Sequence, residues 1–233
     1  MTNVLVLQHE VIEPLGVFED FLRADGATWQ VVEIDEGETI PSLEPFDAMI
    51  VMGGPQNVWQ EDLYPWLRDE KAAIRRFVAE MRRPFFGICL GHQLLADALG
   101  GRVQKAKIPE YGLMRVWKTD EAARDPLLRA MNDSFTALQW HGAEVVALPE
   151  GSVVLARNEA CPIQAFRYGD RAYGVQFHIE VTKDTVIDWA KHIRPVMNEV
   201  EFALKVEAAY PDLYALARNA YDSFKLLSAH APA

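Results

Sequence analysis

Cys89 lies in Gly87-Ile88-Cys89-Leu90-Gly91, where a short apolar run, residues 84–88, gives way to an apolar, helix-compatible segment, residues 94–99. A Gly-x-Cys-x-Gly turn between strand and helix has the outline of a nucleophile elbow. The turn pushes the side chain out of the sheet at the mouth of a helix, and the flanking glycines leave room for the tight backbone. The positive end of the helix dipole favours thiolate over thiol. A thiol placed this way can attack a carbonyl carbon if a base takes its proton and a third group orients the base. Of the six histidines, His178 is best placed. Residues 173–177 read as a strand that delivers His178 and Glu180 two positions apart, so that both point the same way and the carboxylate can hold the imidazole.

The third requirement is a pair of donors for the charge that develops on the attacked oxygen. Gly53 and Gly54 end the apolar run 48–52 and expose backbone N–H groups without side-chain obstruction. The N–H of Gly54, with that of Leu90 directly after the cysteine, is the expected oxyanion pair.

Each feature also has an ordinary reading. A lone cysteine is usually inert packing, a histidine at a strand end is usually a satisfied core group, and a glycine pair is usually only a turn. Cys89 and His92 form a Cys-x-x-His pair, but no second pair stands at ligand spacing, so no metal is expected. Cys161, before Pro162, reads as a small packing residue. His141 beside Gly142 reads either as a pocket residue or as an exposed loop histidine. Trp59, Tyr64 and Trp66 line either a partner surface or the core. The acidic stretch 36–44 reads as solvated.

The elements that must position these groups follow α/β grammar. Strands are expected over residues 4–7, 31–34 and 48–52, a helix over 17–24, and an amphipathic helix over 66–81 that Pro84 ends. Residues 84–88 make a fully buried strand, and Gly100-Gly101 suits a left-handed helix cap. Between residues 102 and 176 the texture changes to short alternating segments, including 113–118, 153–156 and 172–176. That texture predicts an antiparallel extension of a parallel sheet; residues 108–112 are expected to be a mobile loop. After Val181 the pattern is helical, with Leu213, Leu216, Ala217, Ala220, Tyr221, Phe224 and Leu227 at helical spacing. The expected organisation is one body at 1–190 with a helical extension, 191–233, packed on it.

Half of the 233 residues are apolar, enough for one sizeable core. Lys and Arg number 23 against 34 Asp and Glu, a formal charge of -11 that recommends neither nucleic acid nor an anionic membrane as partner. No apolar stretch approaches the roughly 20 residues of a membrane helix, and the N-terminus has no basic leader. The expected location is cytoplasmic, where both cysteines would stay reduced.

Three ordered motifs carry a family resemblance: MGGP at 52–55, GICLGHQLLADALGG at 87–101 and GVQFHIEVT at 174–182. They resemble the class I, triad-type glutamine amidotransferases. WHG at 140–142 and NEACPIQAFRYGDRAYG at 158–174 narrow the likeness to stand-alone proteins similar to the amidotransferase domain of GMP synthase. The resemblance implies a three-layer α/β/α, flavodoxin-like fold with a mostly parallel sheet and the site at the carboxyl ends of its strands. It implies glutamine hydrolysis without a cofactor: Cys89 attacks the side-chain amide, His178 shuttles the proton, Glu180 holds His178, and a γ-glutamyl thioester is hydrolysed to glutamate. Gln93 would touch the bound glutamine, as would the glycine turn at Gly53, and backbone groups of Gly142 and Ala143 would fix its α-carboxylate. The usual FHPE reads FHIE, with Ile179 in place of proline and its fixed φ. After Thr182 about fifty residues follow, too few for a synthetase domain. Any ammonia acceptor would therefore be expected on a separate chain. The same triad would also serve a γ-glutamyl peptide or conjugate hydrolase, and a non-catalytic regulatory module is the reading from a different class.

Overall fold

A computed structural model of the chain describes residues 2–192 and 198–228. The parallel strands are apolar on both sides, so the sheet they form must be covered twice. In β1 (Asn3–Gln8), Val4 and Val6 enter one core cluster while Leu5 and Leu7 enter the other. In β4 (Phe85–Ile88), Phe86 and Ile88 part from Phe85 in the same way. Helices α1 (Val17–Ala24) and α5 (Glu199–Ser228) cover the first face, and α2 (Trp66–Arg75) and α3 (Leu90–Ala98) cover the second. This is the expected three-layer α/β/α arrangement.

The strand order is β2-β1-β3-β4-β9-β8-β7-β5-β6. Strands β2 (Thr28–Glu33), β1, β3 (Ala48–Val51), β4 and β9 (Ala172–Val175) run parallel. Strands β8 (Ala165–Tyr168), β7 (Ser152–Arg157), β5 (Arg102–Lys118) and β6 (Ser134–Ala147) continue the sheet antiparallel, as the alternating texture predicts.

Two expectations fail on the long hairpin of β5 and β6. Residues 108–112 are not a loop but part of β5, which carries a register shift between Lys105 and Glu110. The irregularity accommodates Pro109, which has no N–H for a ladder. His141 is not on an exposed loop either: it is buried in β6, opposite Glu110. Pro109 and Gly112 read as breakers in sequence because cross-strand pairing is invisible there.

Elsewhere the pattern reads through. The stripe of α2 continues to Met81 in a π-helical turn, Arg76–Glu80, that buries Phe77 and Val78. Gly100 takes φ +92° behind α3, and its neighbour's N–H donates to Ala96 O at 2.8 Å. The apolar stripe of α5 is buried from Leu213 to Phe224, with Tyr221 5.9 Å from Phe18 and Phe224 5.7 Å from Phe86, ring centre to ring centre. Helix α4 (Lys183–His192) precedes it.

Candidate active site

The residues of interest meet at the carboxyl ends of β1, β3, β4 and β9. Cys89 sits between β4 and α3 with φ +50° and ψ -101°, a conformation costly for a residue with a side chain. Its N–H is held by Val175 O at 2.9 Å. Both flanking glycines are required by space: a Cβ on Gly91 would collide with Val51 O, and one on Gly87 would collide with Gly91 O. The elbow is therefore clamped between β3 and β9.

His178 lies past the end of β9, which stops at Val175, so the expected strand is shorter than its apolar run. An isolated antiparallel bridge to Leu138 of β6 positions it instead, with the His178 N–H donating to Leu138 O at 2.8 Å. His178 Nδ1 meets Glu180 Oε1 at 2.7 Å, both side chains being buried. The second carboxylate oxygen accepts the N–H of Ile179 at 2.9 Å. Glu180's own carbonyl accepts the N–H of Val17 at 2.8 Å, and Gly16, at φ +55°, is the residue that lets that carbonyl approach. Trp189 of α4 packs its edge on His178 at 4.7 Å. The carboxylate fixes the Nδ1–H tautomer and leaves Nε2 facing the thiol.

Cys89 and His178 stand close enough to shift each other's titration. Burial pushes the Cys89 thiol up and the His178 charge pulls it down, with burial the larger effect. Burial thus works against the pull of the helix N-terminus that the elbow alone suggests. Burial disfavours a charge on His178, yet Glu180 and Cys89 raise it well above the ordinary imidazole value. The pair is suited to moving the thiol proton to the imidazole when a carbonyl arrives. Gln176 Nε2 stands 3.7 Å from Cys89 Sγ, and the thiol faces Trp140 O at 3.9 Å.

The glycine turn comes to the same place. A Cβ on Gly54 would stand 2.9 Å from Leu90 Cδ2, so the turn packs directly against the residue after the cysteine. Gln93 is buried and donates to Gln176 Oε1 at 3.1 Å and Ala143 O at 3.3 Å. Gly142 and Ala143 lie in β6, and nothing stands closer to a Cβ on Gly142 than the Tyr111 hydroxyl at 3.6 Å. His92 is buried against Phe166, 5.0 Å between ring centres, and burial pushes its pKa down to about 3; it is a neutral packing group.

Three further residues at this site belong to no motif of the sequence. His9 and Glu13 come from the loop after β1, and Glu70 from α2. His9 is fully buried, stacked on Trp66 at 5.6 Å, and bridges Gly53 O at 2.9 Å and Glu70 Oε1 at 2.8 Å. Burial opposes its charge, but Glu70 holds its pKa above the ordinary value, so the ring donates at both nitrogens and anchors the glycine turn. Trp66 is thus part of the support of the site, while Trp59 is 48% exposed. The one sequence signal for His9 and Glu13 is position: they directly follow a buried parallel strand, at the sheet edge where ligands bind.

A second buried cluster, Glu110, His141 and Cys161, has ligand atoms within 4.8 Å of one another. Its polar atoms are already engaged: Glu110 with Asn158, Gln164 and His141, and His141 with Ala143 O. Burial pushes the Cys161 thiol up to about 12, far from the thiolate a metal needs. The cluster ties β5 to β6. A cavity of about 470 Å³ beside Arg82, Arg83 and Tyr168 opens at the amino ends of β4 and β9, the opposite edge from Cys89, so cavity size does not mark this site. Among the described residues no helix is long and apolar enough to cross a membrane.

Fold and cluster together define an α/β/α protein that carries a cysteine, a histidine and a carboxylate at the carboxyl edge of a parallel sheet. Residues 18–186 match the family model for class I glutamine amidotransferases, and the chain belongs to that family. It is 39% identical over 153 residues to a subunit of the glutamine-hydrolyzing GMP synthase of Sulfolobus acidocaldarius, covering 65% of this chain and 77% of that one. It is 33% identical over 197 residues to a glutamine amidotransferase-like protein of Salmonella typhimurium, covering 83% and 82%. Among solved structures, a glutamine amidotransferase of Thermotoga maritima superposes with a TM-score of 0.87 at 29% identity, covering 96% of this chain and 97% of that one. One from Methylobacillus flagellatus gives 0.88 at 28%, covering 97% and 95%.

Proposed function

We propose that the chain is a glutaminase that releases ammonia from the side chain of glutamine for an acceptor on another protein. The observation that carries this reading is the hydrogen bond of 2.7 Å between His178 Nδ1 and Glu180 Oε1 beside an elbow cysteine. His178 Nε2 takes the Cys89 proton as sulfur attacks the carboxamide carbon, and the N–H groups of Gly54 and Leu90 receive the developing oxyanion. When the C–N bond breaks, the same imidazole returns the proton to nitrogen and ammonia leaves. Water, deprotonated by His178, then cleaves the γ-glutamyl thioester to glutamate and the free thiol.

Gln93, the Gly53 turn, Gly142 and Ala143 form the proposed glutamine contacts. Gln93 would exchange part of its present bonding to Gln176 and Ala143 for the substrate. Several relatives are named as one subunit of a glutamine-hydrolyzing GMP synthase, which supports a separate synthetase chain as the acceptor partner. The proposed location is the cytoplasm. The test is ammonia release from glutamine by the wild type, Cys89→Ser and His178→Asn, alone and with a candidate synthetase chain. Activity that survives Cys89→Ser sinks the reading.

A further inference from the structure

Glu13 is the group at the site for which the triad has no use. Its stem reaches the surface, but Oε2 is buried without a hydrogen-bond partner among the described residues. That oxygen fills the space beside Gly53: a Cβ at position 53 would collide with it and would stand 3.1 Å from His178 Cε1. A side chain at position 53 would displace the carboxyl group that now shares this flank with the imidazole. The backbone that carries Glu13 is tied on both sides. The Glu13 N–H donates to Glu10 O at 3.0 Å, Trp189 Nε1 donates to Ile12 O at 2.9 Å, and the Val17 N–H is tied to Glu180.

A buried, unsatisfied acceptor costs free energy unless something else receives its benefit. Here it is aimed at the space between the glycine turn and the imidazole, where an attacked carboxamide would place its nitrogen. We propose that Glu13 is the leaving-group contact, its Oε2 accepting one N–H of the substrate carboxamide nitrogen while His178 protonates that same nitrogen. The inference rests on the glutaminase reading. The Cys89 Sγ–C bond forms, the C–N bond breaks with its electron pair going to nitrogen, and the proton comes from His178 Nε2; Glu13 contributes a hydrogen bond and no net proton. With one N–H held, the nitrogen lone pair turns towards His178 as the amide loses its planarity. Burial pushes the Glu13 pKa up to about 7, so a form able to accept is present across the neutral range. The contact also makes the site selective, because an unsubstituted amide supplies the N–H that an ester lacks.

The test compares L-glutamine with the γ-methyl ester of L-glutamate, which offers the same acyl group and no N–H on its leaving atom. Glu13→Met keeps the shape and removes the acceptor; Glu13→Gln keeps one acceptor oxygen and guards against a packing artefact. The expected result for Glu13→Met is a loss of about tenfold to a hundredfold in kcat/KM for glutamine, with the ester changed by less than about threefold. Glu13→Gln should fall between wild type and Glu13→Met on glutamine. An unchanged ratio of glutamine to ester rates in both variants overturns the proposal while leaving the glutaminase reading intact. A wild type that hydrolyses neither substrate overturns that reading, and this inference with it.

Discussion

The backbone N–H of Ile179 donates to Oε2 of Glu180 at 2.9 Å, while Oε1 of the same carboxylate takes His178 Nδ1. Both oxygens of Glu180 are therefore committed to donors. The first bond is possible because residue 179 is isoleucine; the proline usual at this place in the family pattern has no N–H to give.

The two donors make Glu180→Gln an unusually poor replacement. Whichever way the amide is turned, its NH2 faces either the Ile179 N–H or His178 Nδ1, and the second case favours the wrong imidazole tautomer. Glu180→Gln should lower kcat by about a hundredfold to ten-thousandfold. Adding Ile179→Pro removes one of the conflicting donors and should recover part of that loss. A double-mutant cycle on kcat measures the coupling, and additive effects would show that the Ile179 bond does not matter to the triad.

Glu13 should make stability fall with rising pH. Its folded pKa of about 7 lies above the ordinary carboxyl value of 4.5, under the influence of burial first, with His178 and His9 opposing and Glu180 and Glu10 adding to the shift. For a raised pKa the contribution is intact below the unfolded value and lost as pH rises through the folded one. The window is therefore from about pH 4.5 to about pH 7, and the loss amounts to about 3 kcal/mol. Glu13→Gln should match the wild type in thermal unfolding near pH 4 and exceed it by several degrees near pH 8. Equal melting temperatures at the higher pH would place the Glu13 carboxyl in solvent.

The elbow glycines should be intolerant for steric reasons alone. Gly91→Ala drives a methyl group into Val51 O, and neither chain segment can move without opening the contact of β3 with α3. A loss of at least about 2 kcal/mol is expected, together with slower alkylation of Cys89. A variant as stable as the wild type would mean that the elbow has room for a side chain at this position.

Breaking the support of the glycine turn should be costly at a distance from the chemistry. Glu70→Leu leaves His9 buried without its charge partner, and losses of about 3–5 kcal/mol are typical for such a break. The His9 contribution has the sign of a raised pKa: it is present below the unfolded value and lost as pH rises through the folded one. The stability gap between wild type and Glu70→Leu should thus be largest on the acid side, as read by denaturant titration at several pH values. A gap that widens with pH would contradict a charged His9.

What the sequence made legible was local. Gly-x-Cys-x-Gly and His-x-Glu each fit within a few residues, and backbone geometry at a turn or strand end is enough to orient them. The helix at Val17–Ala24 and the stripe of α5 were legible for the same reason, through apolar spacing along one element. His9, Glu13 and Glu70 were not, because they converge from a loop and a helix that only tertiary packing brings to Gly53. Nor was the hairpin of β5 and β6 legible at Pro109 and Gly112, because its register is a property of two strands. Nor does a turn motif show the burial that opposes the pull of the helix N-terminus on the Cys89 thiol.

The most direct test of the central claim is to quench the protein with acid during turnover of glutamine and look for a γ-glutamyl adduct on the peptide carrying Cys89 by mass spectrometry. The account predicts the adduct in the wild type, its absence in Cys89→Ser, and little or none in His178→Asn. Glutamine hydrolysis at full rate in Cys89→Ser, or an adduct on another residue, would contradict it.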